Sequence, residues 1–518
     1  INSNPAAAIA PPPLGADRSA SADEGTQHRS AAELACRFAQ FWLARREWRL
    51  PPDTQQGVPF CMDEYCRLFG AARIPLPGRD RWYEGDGGAN HIVVLRGSSF
   101  YFLRVIEPDG VISTDMLAQA FHAIITMHAA PVVVGDHHIG LGTMTTAARD
   151  TWARVRSRLR QLSPTNAASL DAVDSALFVV CLDLELQPDP DARISVGLHG
   201  GREHRWFDKT CVVVDPAGHA VINFEHSLFD GVAIRRLMDE TWKKMNGVRD
   251  FRTSWEYRWS SAATGATFRE LSFDLDTHTR SALAAAFAAH RRAQSRLRVC
   301  HVAFHDYGKQ IMKRRFRASP DGVVQACFKL AYHRVHGWHG RGIYVYESCQ
   351  TKRYLCGRTD VIRTTTDASN AWIDHMMTAR TACARVSTHS ATLLRASAAR
   401  HAELAKEASF GKGVDRHLFA LYNIQQQRHR DGGEHPTPAL FTDAAWALSN
   451  HSVLSTSNLS SEAISTVAFG PVVQEGYGIA YCINNDVLRF GVSNFEAAAE
   501  DEGGGGAKFG GVESSING

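Results

Sequence analysis

The chain has 11 cysteines, but no Cys-x-x-Cys pair and no repeated His/Cys spacing. That argues against a zinc site and against a disulfide framework, and it fits a reducing compartment. No metal ligand set is expected. No apolar run reaches 18 residues, so no transmembrane helix is written into the chain. One-sided charge is also missing: 57 Lys and Arg face 54 Asp and Glu, a formal net charge of +3. A nucleic-acid partner is not expected, because such binders concentrate basic charge on one face. The first residue is Ile rather than Met, so the N-terminus is silent about targeting.

At 518 residues, 44% hydrophobic and 21% charged, the composition is that of an ordinary globular enzyme too long for a single growing core. Two domains or one double-lobed unit are expected. Residues 1–30 are rich in Ala, Pro and Ser and read as disordered. Residues 500–518 are Gly-rich and read as a disordered tail.

Between these ends strands alternate with helices. Residues 91–95 and 99–106 predict a strand pair around Arg96-Gly97-Ser98. Leu117, Phe121, Ile124 and Ile125 share one face of a helix. Residues 211–215 and 220–224 flank a turn-rich linker, predicting a hairpin. Ser319-Pro320-Asp321 opens a helix with an N-cap, a proline at the first position and an acid at the positive end of the dipole. Its apolar stripe is Val323, Val324, Cys327, Leu330 and Ala331. Residues 478–483 and 487–492 return to strand character. The chain is α/β.

Chemistry is written most densely at Phe224-Glu225-His226-Ser227-Leu228-Phe229-Asp230-Gly231, where a buried strand gives way to a helix. Imidazole titrates near neutral pH, so a histidine projecting from a strand end can take a proton and return it. Asp230, four residues on, orients the ring or fixes the turn. With 24 histidines in the chain, one beside a carboxylate is more often structural than catalytic. The basic run Lys313-Arg314-Arg315-Phe316-Arg317 is, by itself, a solvated face.

Asn223-Phe224-Glu225-His226-Ser227-x-x-Asp230-Gly231, preceded by Arg205-Trp206-Phe207-Asp208-Lys209, resembles the catalytic-histidine motif of the carnitine/choline acyltransferases. The resemblance runs from about residue 57 to Phe495 and is strongest to the mitochondrial long-chain branch. It implies two chloramphenicol-acetyltransferase-like lobes, each a mixed β-sheet flanked by helices, with an active-site tunnel between them. The N-terminal lobe, 31–270, would carry the catalytic histidine. The C-terminal lobe, 271–499, would carry the coenzyme A, carnitine and oxyanion residues.

Residue by residue, the resemblance makes His226 the general base and Ser457, in Leu454-Ser455-Thr456-Ser457, the oxyanion donor. Tyr346, Thr359, Arg416, Ser455 and Phe469 would hold carnitine. Arg416 would be a buried cation paired with the substrate carboxylate, a group that choline lacks. Phe469 would face the trimethylammonium group. Lys309, Lys313 and Asp321 would bind coenzyme A, which turns part of the basic run into a phosphate site. Val467 would gate the acyl pocket. No cofactor is held permanently; acyl-CoA and carnitine are the substrates.

The family's pattern is not met everywhere. Its N-terminal region is not recognisable before about residue 30. The stretch ahead of Cys61 is short, as in soluble relatives, and Val467 stands where long-chain enzymes have Gly and the acetyl enzyme has Met. The expected function is reversible fatty acyl transfer between coenzyme A and carnitine, long-chain first. Alternatives are a medium- or short-chain enzyme, a catalytically weakened acyl-CoA or carnitine binder, and a choline acyltransferase. The expected setting is mitochondrial, in the matrix or on the inner membrane, with the peroxisome second. A monomer with at most peripheral membrane contact is expected.

Overall fold

The computed structural model describes residues 4–11, 26–85, 87–127, 133–134, 137–201, 205–247, 255–340, 342–379, 387–432 and 436–496. The Gly-rich tail lies outside the described residues.

Two mixed sheets organise the chain. The first runs Phe268–Leu271, Ser99–Arg104, His91–Arg96, Val179–Leu182, Cys211–Val214, Ala220–Asn223, Ala6–Ile9, Ile464–Ala468. Val179–Leu182 is parallel to both its neighbours and buried throughout, as the continuous run Val-Val-Cys-Leu requires of a strand covered on both faces. On one face Phe38, Phe41 and Trp42 of the helix Thr26–Arg46 pack with Leu117 and Phe121 of Thr114–Thr126 and Ile234 and Leu237 of Gly231–Met245. On the other face lie Trp152, Leu159, Leu170 and Leu283, each from a helix.

The second sheet runs Leu297–Phe304, Leu488–Phe495, Tyr477–Ile483, Leu454–Asn458, Val345–Gln350, Thr359–Arg363. Its helices include Pro320–His336 and Thr388–Ser409, which approach so closely that a Cβ at Gly322 would fall 2.7 Å from the Cα of Ala398. The two sheets flanked by helices match the expected fold class.

The expected hairpins form at His91–Arg96/Ser99–Arg104 and Cys211–Val214/Ala220–Asn223. Ser319 caps its helix by accepting from the Gly322 N–H, with Pro320 next in line. Two expectations fail. Cys327 and Ala331 are exposed, and the buried face of Pro320–His336 instead includes Gln325, Ala326, Lys329 and His333. A period read from apolar residues alone misses a helix that seats polar side chains inward.

The second failure is the disorder assigned to residues 1–30. Ala6–Ile9 is a strand, with Ala6 and Ala7 wholly buried, and Thr26 begins the first helix. It pairs antiparallel with Ala220–Asn223 on one side and with Ile464–Ala468 on the other. Composition is blind to such pairing, whose partners lie more than 200 and 450 positions away. Through this strand a segment that follows the second sheet's Leu454–Asn458 completes the first sheet.

Candidate active site

His226 lies on the loop between the strand Ala220–Asn223 and the helix Gly231–Met245. Its Nδ1–H donates to the carbonyl of Phe229 at 2.9 Å. A carbonyl can only accept, so this bond fixes the neutral tautomer with the lone pair on Nε2. The side chain is 41% exposed. Asp230 does not hold the ring in this structure: its Oδ1 is 3.7 Å from Nδ1. Asp230 is instead gripped by Arg358, with Nη2 to Oδ1 at 2.8 Å.

Nothing in the sequence assigns a role to Arg358. It stands on the turn between the strands Val345–Gln350 and Thr359–Arg363 of the second sheet. It donates to the carbonyls of His226 at 2.7 Å and Ser227 at 2.6 Å as well as to Asp230. A planar guanidinium can serve three acceptors at once, which a lysine cannot do with the same geometry. The signal was present in Gly357-Arg358-Thr359, but nothing local says what the arginine reaches. Gly357 is required here, since a Cβ would fall 2.1 Å from the Thr351 carbonyl oxygen.

Behind the loop Glu64 is buried beside Asp230, with Lys352 Nζ at 3.7 Å. Burial first, and then the Asp230 charge, push Glu64 up to about 7. Asp230 is held below the usual carboxylate range despite burial, chiefly by Arg358.

Tyr346, Thr359 and Arg416 come together. Tyr346 and Thr359 lie on paired antiparallel strands. Arg416, on the helix Asp415–Arg430, donates from Nη2 to Tyr346 Oη at 3.2 Å and to Thr359 Oγ1 at 3.4 Å, and from Nε to the Thr359 carbonyl at 3.0 Å. The expectation of a buried cation is corrected: Arg416 is exposed. Exposure explains how it stands without a carboxylate partner, because water solvates it. The neighbouring Asp415 pairs with Arg363 instead.

Ser455 and Ser457 sit on Leu454–Asn458, which runs parallel to Val345–Gln350 with Tyr346 opposite Ser455. Ser457 Oγ lies 3.2 Å from Ser348 Oγ, a second hydroxyl that the sequence reading missed. Thr456 points the other way, donating to the Tyr346 carbonyl and accepting from Gln325. Val467 is buried, opposite Ala7, and Phe469 is half-buried against the same core.

Lys309 and Lys313 fall on a short helix and the π-turn Met312–Phe316 that continues it. The Lys309 N–H donates to Asn484 O, an approach possible because a Cβ at Gly308 would lie 2.6 Å from that oxygen. Lys313 is exposed. Among the described residues no hydrogen bond or ion pair joins Asp321 to these lysines; it accepts from Tyr481 Oη at 2.7 Å and from Asn458. Tyr481 also reaches Glu347, which pairs with His401 at 2.7 Å. Burial raises Glu347; burial opposes protonation of His401, but the Glu347 bond raises it above its ordinary value. Asp321, Glu347 and His401 stand close enough to suggest a ligand set. As arranged, their donors and acceptors serve one another.

The profile of the choline/carnitine O-acyltransferases matches residues 1–505. The chain belongs to that family. A mitochondrial carnitine O-palmitoyltransferase 2 from Xenopus tropicalis is 34% identical over 452 residues, 85% of this chain and 64% of the relative. The Homo sapiens protein of that name is 33% identical over 446 residues, covering 84% and 64%. A carnitine O-acetyltransferase from Columba livia is 29% identical over 500 residues, covering 92% and 74%. The chain thus spans 64% of the length of the palmitoyltransferases it matches.

Proposed function

We propose that this member of the family transfers an acyl group reversibly between coenzyme A and carnitine. The observation that carries the reading is the Arg416–Tyr346–Thr359 cluster, a guanidinium flanked by two hydroxyls on the same face of a paired strand. Such a set suits a carboxylate, which accepts charge-assisted hydrogen bonds from all three. Choline offers no carboxylate and would leave the cation unused.

In the proposed reaction, Nε2 of His226 takes the proton of the carnitine 3-hydroxyl. The alkoxide attacks the thioester carbonyl, and Ser457 donates to the oxyanion that appears only in the transition state. The thiolate leaves and recovers the proton from Nε2. Phe229 keeps the tautomer correct through both transfers. Lys309 and Lys313 would face the phosphates of coenzyme A, which is a substrate and not a resident group. A mitochondrial setting fits the names of the palmitoyl relatives.

For the acyl chain we favour long chains, because the palmitoyl relatives are 33–34% identical against 29% for the pigeon acetyl enzyme. Val467 favours a second reading, shorter chains, because its buried side chain fills space that a glycine would leave open. Thiol release with carnitine as acceptor, run over acyl-CoA substrates from acetyl to stearoyl, tests both. Release of thiol with choline but not carnitine would overturn the acceptor. A slope falling with chain length would select the second reading.

A further inference from the structure

Two thiols from different lobes meet beside the catalytic loop. The backbone N–H of Cys356 donates to Sγ of Cys61 at 3.3 Å, across 295 positions of sequence. The N–H of Cys61 donates in turn to the carbonyl of Lys352 at 2.8 Å, so the chain at 60–62 lies along the turn at 352–356. Both are free thiols; Cys356 is exposed and Cys61 half-buried.

The turn that carries Cys356 is tightly held. Tyr354 N–H donates to Thr351 O, Gly357 N–H to Tyr354 O and Thr351 N–H to Arg358 O, at 2.8 to 3.0 Å. Cys356 itself is kept at φ +53, a region that non-glycine residues enter only where the surroundings insist. A disulfide wants Cβ atoms about 3.8 Å apart and sulfurs about 2.05 Å apart. The Cys61 sulfur touches the Cys356 amide nitrogen, which is two bonds from the Cys356 Cβ.

We propose that Cys61 and Cys356 form a reversible disulfide that staples the 53–66 segment of the first lobe to the 351–358 turn of the second. The oxidant is a hydroperoxide. One thiolate attacks the peroxide oxygen, giving a sulfenic acid and releasing hydroxide, which is protonated to water. The second thiolate displaces the sulfenic oxygen as a second water, forming the S–S bond. Two thiols lose two electrons in all, and hydrogen peroxide becomes two waters. Partial desolvation and the Asp63 carboxylate, with Cys61 itself, raise the Cys356 thiol, while Arg67 pulls it down. The link therefore forms faster in mildly alkaline buffer. A bond placed at an exposed turn is of the labile kind that thiol reductants reverse.

The staple lies two residues before Arg358, the residue that grips the His226 loop. It also joins segments already in contact through Lys352 and Asp53. Closing so long a loop constrains the unfolded chain strongly, so oxidation should raise the unfolding temperature.

The test treats the full chain with hydrogen peroxide, blocks remaining thiols, digests it without reduction and maps the peptides by mass spectrometry. The expected result is one linked pair, Cys61 with Cys356, lighter by two hydrogens than the separate peptides. It should vanish with dithiothreitol and in Cys356→Ser. The unfolding midpoint should rise on oxidation of the unaltered chain and stay put in Cys356→Ser. Oxidation of the two thiols singly, or a link from Cys61 to Cys66 instead, would overturn the proposal. Should the variant fail to fold, a short-armed bifunctional thiol reagent on the unaltered chain decides: bridging of Cys61 to Cys356 supports the proposal, and separate labelling sinks it.

Discussion

Arg358 donates from Nη2 to the backbone carbonyl of His226 at 2.7 Å, although His226 follows a strand of the first sheet and Arg358 precedes a strand of the second. The loop of the candidate base is thus held by a residue next to the strand of Thr359, one of the residues proposed to bind carnitine. The Phe229 carbonyl sets the ring tautomer while Arg358 sets the loop.

Arg358→Lys keeps the charge but loses the fork that serves His226, Ser227 and Asp230 together. We expect kcat to fall by about 10²-fold, with KM for both substrates changed much less, because a small misplacement of a catalytic group carries a penalty of that order. Asp230→Asn should lose less, since the two backbone contacts survive. Steady-state kinetics with a thiol reagent reads the split; equal losses in kcat and in affinity would assign Arg358 to substrate binding instead.

Arg416→Gln should raise KM for carnitine by about 10- to 100-fold, the range expected when a hydrogen bond to a charged group is lost. The acyl-CoA KM should hardly move. Choline, lacking the carboxylate, should be used no worse by the variant than by the unaltered chain. A variant whose carnitine KM is unchanged would remove Arg416 from the site.

These two arginines show what was legible in the sequence. Arg416 is placed by the family resemblance, which does not tell its exposure. Arg358 stands next to Thr359, yet nothing in the local sequence assigns it a role, because its acceptors lie 128 to 132 positions away. Strands such as Cys211–Val214 announce themselves through β-branched runs and turn residues. Ala6–Ile9 does not: alanine is a poor strand former, and only partners on both sides make it one. Likewise Glu347 and Lys329 look like surface residues until the buried pairing with His401 and the Thr364 carbonyl is seen.

Glu64 makes stability depend on pH in the direction opposite to most carboxylates. Its folded-state value, about 7, lies above the ordinary 4.5, so the folded chain binds the proton more tightly than the unfolded one. That contribution is full below the unfolded value and is lost as pH rises through about 7. Asp230, whose folded value is depressed, behaves the other way and fails only on acidification. Denaturant unfolding should therefore show Glu64→Gln gaining relative to the unaltered chain between about pH 5 and pH 8, by up to about 3 kcal/mol. A difference that is flat across this range would place the Glu64 proton elsewhere.

The strand Ala6–Ile9 predicts a stability effect at a position that composition would call free. Ala7 is wholly buried between two strands, so Ala7→Asp should lower the unfolding midpoint sharply or prevent folding, because an unpaired charge is placed in the core. Asn4→Ala is the milder probe. It removes the 2.7 Å bond from Nδ2 to the Phe207 carbonyl, for a loss of about 1 kcal/mol. Thermal unfolding of both variants checks the strand; an unmoved midpoint in Ala7→Asp would mean that the segment is not docked in solution.

Val467 lies opposite Ala7 in the strand pair, and its carbonyl sits against Gly491, where an added Cβ would come within 1.9 Å. Its backbone is therefore fixed on two sides, and a substitution there changes side-chain volume rather than strand position. Val467→Gly should increase kcat/KM for palmitoyl-CoA relative to acetyl-CoA, and Val467→Met should decrease it. Each change is worth about 1–3 kcal/mol of discrimination, or roughly 10- to 200-fold. Emptying a buried site also lowers stability, so the readout is the ratio of two substrates on one preparation, which cancels the fraction of unfolded enzyme. A ratio that stays constant in both variants would show that the acyl chain does not pass Val467, and would leave the pocket to be sought on another strand.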